Sequence, residues 1–209
     1  MKKVFLILFA FLLFTTCSTK TISKVGVTAV CHTVTYDEGM VINGVRWATR
    51  NVDAPGTFAN LPISPGMFFM RQGQRWRAWA IVSGTPFPLP PESSLDVASP
   101  VGPCPTGWRL PTDEEFHSLI NAGSEIVQIG GVYGRFFGTA PHQIFLPATG
   151  ILSCSMLSCS IVRFRDEGNY WSWCNVGGKS GRPGRGLFFS TTSNHVRLGG
   201  GGHVRCVAE

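Results

Sequence analysis

Beyond residue 24 the sequence holds a single lysine, Lys179, against thirteen arginines. The formal charge of +6 is therefore misleading: Lys2, Lys3, Lys20 and Lys24 lie in the first 24 residues, and the rest of the chain carries +2. Nucleic-acid affinity rests on clustered cations that neutralise phosphates, so the body of the chain lacks that footprint and no nucleic-acid partner is expected. No second apolar run approaches the length of Val4–Phe14, and even that run of eleven residues is shorter than the roughly 20 needed to span a bilayer as a helix. No repeat recurs at a solenoid period. There is no Cys-x-x-Cys pair, and His32, His117, His142, His195 and His203 share no metal-ligand spacing, which argues against a structural zinc site or any other metal cofactor. Gly178-Lys179-Ser180 imitates the end of a phosphate-binding loop, but the glycine that pattern needs is replaced by Trp173. The serines and histidines form no nucleophile elbow, and no catalytic residue is expected.

What the N-terminal end does contain is a charged Lys2-Lys3 pair, the apolar run Val4–Phe14, and the small residues Thr15 and Thr16. That order is a secretory signal's, so residues 1–16 are expected to be removed. Cys17 stands where the run ends and resembles the lipid-accepting cysteine of bacterial lipoproteins, although Phe14-Thr15-Thr16 departs from the usual residues before it. Residues 17–38 then read as a lipidated N-terminus and spacer with a possible first strand over Val25–Tyr36. The expected location is the bacterial cell envelope, as an outer-membrane lipoprotein facing the periplasm or the surface.

About 190 residues remain, enough for one large domain with its own core, here placed at residues 39–209. Asn43-Gly44 between Met40-Val-Ile42 and Val45-Arg-Trp47 predicts a two-residue hairpin with Trp47 facing the core. Nine prolines between Pro55 and Pro103 predict a long irregular loop, interrupted where aromatics and arginines interleave over Gly66–Trp79. Thr112 and Glu115 form a capping-box pattern ahead of Phe116, Leu119 and Ile120, so a helix is expected there, stopped near Gly123. His117 would lie on its polar side. Short apolar bursts from Ile126 onward alternate with glycines, which predicts a mostly antiparallel sheet in an α+β arrangement.

Four segments carry a resemblance: Ile42-Asn-Gly-Val-Arg-Trp-Ala-Thr-Arg-Asn-Val52, Cys104-Pro-Thr-Gly-Trp-Arg-Leu-Pro-Thr-Asp-Glu-Glu-Phe116, Gly168-Asn-Tyr-Trp-Ser-Trp173 and His203-Val-Arg-Cys-Val-Ala-Glu209. In this order they resemble the Fibrobacter succinogenes major paralogous domain, a bacterial surface family. The resemblance implies a C-type-lectin-like fold with a twisted antiparallel sheet, long loops and one or two short helices. It also implies a disulfide between Cys104 and Cys206. With Cys17 set aside six cysteines remain, an even number suited to an oxidising compartment but open to fifteen pairings. Among Cys31, Cys154, Cys159 and Cys174 the partners stay open: Cys154 or Cys159 could bridge to Cys174 across a short hairpin, or one pair could remain as thiols.

The same fold is shared with formylglycine-generating enzymes, whose copper-binding cysteine pair has the spacing of Cys154 and Cys159. In those enzymes the pair follows the segment that Gly168–Trp173 resembles; here it precedes it, which argues against a cysteine oxidase. Calcium-dependent sugar binding needs Glu-Pro-Asn or Gln-Pro-Asp and Trp-Asn-Asp motifs, and all are absent. Asp166-Glu167 is expected to be a solvated turn. The remaining candidates for ligand contact are Arg75, Trp76, Arg77 and Trp79, with Arg182 and Arg185 in a glycine-rich stretch. Tryptophan faces stack on sugar rings, and arginine forks pair with carboxylates or sulfates; the competing reading makes Trp76 and Trp79 core aromatics. The expected function is a non-catalytic envelope protein recognising a glycan or surface protein through its loops, or alternatively a structural or tip subunit of a surface appendage.

Overall fold

Asn43 and Gly44 both take positive φ, 49° and 80°. This is the backbone of a type I′ turn, and it folds β1 (Met40–Ile42) directly onto β2 (Val45–Trp47), with Ile42 opposite Val45 and Met40 opposite Trp47. The structure is a computed structural model that describes residues 36–72, 75–79, 87–88, 102–154, 158–173, 186–192, 196–199 and 202–209. Residues Val34–Glu209 belong to one compact unit.

The interleaved segment in the proline-rich stretch is a second hairpin, β3 (Phe68–Gln72) and β4 (Arg75–Trp79), with Phe69 opposite Ala78 and Arg71 opposite Trp76. The interruption expected within the proline-rich loop is therefore a pair of strands. Arg75-Trp-Arg-Ala78 alternates at period two, which is the strand signal, and no proline falls within β3 or β4. A short β5 (Phe87–Pro88) follows, then β6 (Trp108–Arg109).

The helix α1 (Asp113–Asn121) begins as its local chemistry demands. Thr112 caps it in extended conformation, the Glu115 amide donates to Thr112 Oγ1, and Glu115 Oε2 accepts from the Thr112 amide at 2.7 Å. Three acids in the first turn meet the positive end of the dipole. Gly123, at φ 86°, follows the C-cap Ala122. Phe116 and Leu119 are fully buried, and Phe116 packs on Trp47 with ring centroids 5.3 Å apart, while His117 is exposed.

Three strands then form a meander: β7 (Ser124–Ile129), β8 (Val132–Thr139) and β9 (His142–Pro147), all antiparallel. A hairpin of β10 (Ile151–Cys154) and β11 (Ser158–Val162) pairs on its far side with β5. The sheet of β12 (Glu167–Trp171), β13 (Gly186–Ser190) and β14 (Val196–Gly199) is again antiparallel. Every residue of β12 is buried. Glu167 is accordingly not part of a solvated turn. It is buried and pairs with Arg163 at 2.8 Å, while Asp166 before it stays exposed. At Gly186 a Cβ would sit 1.8 Å from the Tyr170 carbonyl oxygen, so close strand pairing there requires glycine.

The last strand, β15 (Val207–Ala208), lies between β2 and β6, giving the order β1-β2-β15-β6. The residues before it lace the molecule together. Ala48 donates to the Cys206 carbonyl, Val52 to Val204, Phe69 to Gly202 at 2.7 Å and Trp171 to His203 at 2.8 Å. Two apolar clusters result. One gathers Trp47, Phe116, Leu119, Phe137, Leu146, Leu187 and Phe189 around the helix. The other gathers Val52, Phe69, Trp76, Leu110, Trp171 and Val204 with Cys104 and Cys206. Each fully buried Leu or Phe contributes about 1.5–3 kcal/mol, so these clusters are the main favourable term of the fold. The described architecture is sheet-rich α+β and mostly antiparallel, with one short helix among the described residues.

Candidate functional site

Strand alternation divides the positions of the β3–β4 hairpin between two faces. Trp76 and Ala78 belong to one face, and Arg75, Arg77 and Trp79 to the other. On the first face Trp76 is 1% exposed and meets Trp171 edge to face. Trp76 is therefore a core aromatic, withdrawn from the ligand-binding set. Across the strands Gln72 stands opposite Arg75, Met70 opposite Arg77 and Phe68 opposite Trp79. Arg75 and Arg77 are thus successive same-face positions, roughly 6.6 Å apart along the strand, and Trp79 continues the row.

This hairpin is held at its Phe68–Phe69 end. The Trp171 indole Nε1 donates to the Phe69 carbonyl at 2.7 Å, and the Phe69 amide donates to the Gly202 carbonyl at 2.7 Å. Phe68, on the same face as Trp79, is buried and sits edge-on to the His203 ring, centroids 5.2 Å apart, so that face is covered at the Phe68 end. His203 is completely buried, and burial pushes its imidazole down to about 3, so it is neutral at neutral pH. The carbonyls of Pro65 and Met67 lie close enough to oppose that shift, without a hydrogen bond of good geometry to either ring nitrogen.

Beneath it lies a polar post that pattern reading missed. Arg205 is fully buried and spends its guanidinium on internal acceptors: Nε donates to Asn51 Oδ1 at 2.9 Å, and its two terminal nitrogens to the carbonyls of Ala48 at 3.1 Å and Phe145 at 3.0 Å. Asn51 Nδ2 donates onward to the Pro65 carbonyl, and the Tyr170 hydroxyl donates to the Pro147 carbonyl, both at 2.9 Å. Burial moves Arg205 down to about 10 and Tyr170 up to about 12, so at neutral pH the arginine stays charged and the phenol stays protonated. With its nitrogens engaged by the protein, Arg205 joins residues 48, 51 and 145 rather than serving a ligand. Its only signal in the sequence is a charge inside the apolar strand pattern Val204-Arg-Cys-Val207.

A second buried charge closes the N-terminal edge. Asp37 accepts from the amides of Gly39, Thr49 and Arg50 and pairs with Arg50 Nε at 3.2 Å, so ordered structure includes residues ahead of position 39. The clasp is covalent. Cys104 and Cys206 form a disulfide with Cα atoms 6.1 Å apart, both residues buried in the second apolar cluster. Arg109 next to it forks onto Glu115 at 2.7 and 2.9 Å, tying the strand to the helix cap.

Elsewhere an apolar cleft of about 430 Å³ opens between residues 61–63 and the β8–β9 strands, lined by Leu61, Pro62, Ile63, Phe136 and Phe145 among others. Cys17, Arg182 and Arg185 lie outside the described residues. Among the described residues no group of His, Cys, Asp and Glu is placed to hold a metal ion, and no helix is long and apolar enough to cross a membrane. No protein-family model matches the chain, and no curated protein or solved structure matches it.

Proposed function

We propose that this chain is a non-catalytic binding protein of the bacterial cell envelope, tethered by a lipid on Cys17, with a lectin-like domain that recognises a glycan carrying carboxylate or sulfate groups. The reading keeps the resemblance to the Fibrobacter succinogenes major paralogous domain and its C-type-lectin-like fold. The observation that carries it is the β3–β4 hairpin: Trp76 packs against Trp171 in the core, and Arg75, Arg77 and Trp79 occupy the alternate positions of β4. A hairpin whose β3 strand is held at Phe69 by the Trp171 and Gly202 hydrogen bonds loses little ordering entropy when a ligand settles on β4. Two arginines at alternate positions offer paired forks for anionic groups, and a tryptophan offers a stacking plate for a sugar ring.

The test is a glycan array probed with the monomeric mature domain, followed by titration of the best acidic oligosaccharide. Saturable binding should weaken roughly tenfold or more for Arg75→Gln and for Arg77→Gln, since a hydrogen bond to a charged group contributes about 1.5–3 kcal/mol. Binding should fall as salt rises. A domain that binds acidic and neutral sugars alike, or none, would overturn the glycan reading. The structural-subunit alternative draws on the apolar cleft and the 55% exposed Leu61 beside it. It would be favoured by recovery of the chain only in a stoichiometric complex, released by substituting Leu61.

A further inference from the structure

The β10–β11 hairpin places Cys154 directly opposite Cys159. Opposed Cα atoms in an antiparallel pair lie about 4.5 or 5.5 Å apart, according to whether the pair is hydrogen-bonded. Disulfides span Cα separations of about 4.4–6.8 Å, so either kind of pair suits one. The register is set by four consecutive pairs, from Ile151 opposite Val162 to Cys154 opposite Cys159. It is set again on the other side of β11, where Ser158 faces Pro88 and Cys159 faces Phe87. A slip of one residue would turn the whole strand over and separate the cysteines, so their opposition is a property of the ladder.

We infer that Cys154 and Cys159 form a cross-strand disulfide that clasps the end of this hairpin. The pairing differs from a bridge between either of them and Cys174. Formation is by thiol–disulfide exchange with a disulfide oxidant, a protein or a small molecule. One cysteine thiolate attacks the oxidant's disulfide and releases its first thiol. The second thiolate then attacks the cysteine sulfur of the mixed disulfide and releases the other. Two thiols lose two protons and two electrons, and the oxidant's disulfide gains them as two thiols. The bond fixes the strand on which Phe87–Pro88, the next strand after Trp79 in the chain, is paired. With Cys104 and Cys206 already joined, and Cys17 reserved for lipid, only Cys31 and Cys174 remain of the seven.

The full chain, exported to an oxidising compartment, is unfolded without reductant, treated with N-ethylmaleimide and cut with chymotrypsin, which cleaves between the two cysteines. The peptides carrying Cys154 and Cys159 should emerge joined to each other, unalkylated, and separate on addition of dithiothreitol. The Cys174→Ser chain should give the same joined peptides, and Cys154→Ser should leave Cys159 open to alkylation. Alkylation of both cysteines in the unreduced wild type, or either one joined to Cys174 or Cys31, overturns the assignment.

Discussion

Trp76 meets the indole of Trp171 edge to face, ring centroids 5.5 Å apart and planes at 89°. The contact joins a hairpin from the proline-rich stretch to the buried strand β12, and the Trp171 Nε1 bond to the Phe69 carbonyl reinforces it. Truncating a buried aromatic costs about 3–5 kcal/mol through lost transfer energy and the cavity left behind. Trp76→Ala is expected to lower the unfolding free energy in urea by that amount, and Trp76→Phe by less. A loss under about 1 kcal/mol for the alanine variant would show that the hairpin is not packed as described.

The Cys104–Cys206 bridge joins residues 102 positions apart. In the chain-entropy account a loop of that size restricts the unfolded state by roughly 4–5 kcal/mol. That is a large share of the 5–15 kcal/mol typical of a domain. The double variant Cys104→Ala, Cys206→Ala should therefore unfold at a markedly lower urea midpoint, or be unfolded at 37 °C. A midpoint equal to that of the unreduced wild type would contradict the clasp.

How legible this structure was depended on whether a feature is local. The Asn43-Gly44 turn and the Thr112–Glu115 capping box follow from residues within reach of each other in sequence, and both stand where their chemistry puts them. The buried state of Trp47 was readable because a large apolar side chain next to a firm turn has one favourable face. The β3–β4 hairpin lies among nine prolines, whose density outweighs the four-residue alternation Arg75-Trp-Arg-Ala78. Trp76 and Trp79 looked equivalent as aromatics beside arginines. Only the register separates them, because an odd spacing sends them to opposite faces. Arg205 and Asn51 stand 154 residues apart, and nothing in either neighbourhood announces the other. Glu167 departs from the solvated turn expected at Asp166-Glu167 for the same reason: its partner Arg163 is local, but its burial comes from the sheet that β12 completes.

His203 makes stability depend on pH in a defined window. Its folded value of about 3 lies below the unfolded value of 6.5, so between the two the unfolded chain binds more protons. The contribution of neutral His203 is thus fully present above pH 6.5 and is lost as pH falls, at about 1.4 kcal/mol per pH unit. Lowering the pH from 8 to 5 should remove about 2 kcal/mol from wild type by this route. His203→Leu, which has no proton to gain, should lack that part of the slope. The comparison of urea midpoints at several pH values above 5 checks it; parallel curves for the two proteins would mean that His203 is not held neutral.

Arg205 tests whether the buried polar post is structural. Its three donor contacts, to Asn51 Oδ1 and to the Ala48 and Phe145 carbonyls, bring the segment after β2, the strand β9 and the C-terminal segment to one point. Arg205→Ala leaves those acceptors buried without a donor, each at about 1–3 kcal/mol, and the variant is expected to lose several kcal/mol or fail to fold. Arg205→Lys keeps the charge but not the planar fork, so it should fold with an intermediate loss. Arg205 also holds the Tyr170 phenol below where burial alone would put it. In the lysine variant the tyrosine absorbance titration should therefore keep one phenol that ionises only at the alkaline extreme, along with unfolding. A lysine variant as stable as wild type would show that the fork geometry carries no weight, and that the three segments are joined by apolar packing alone.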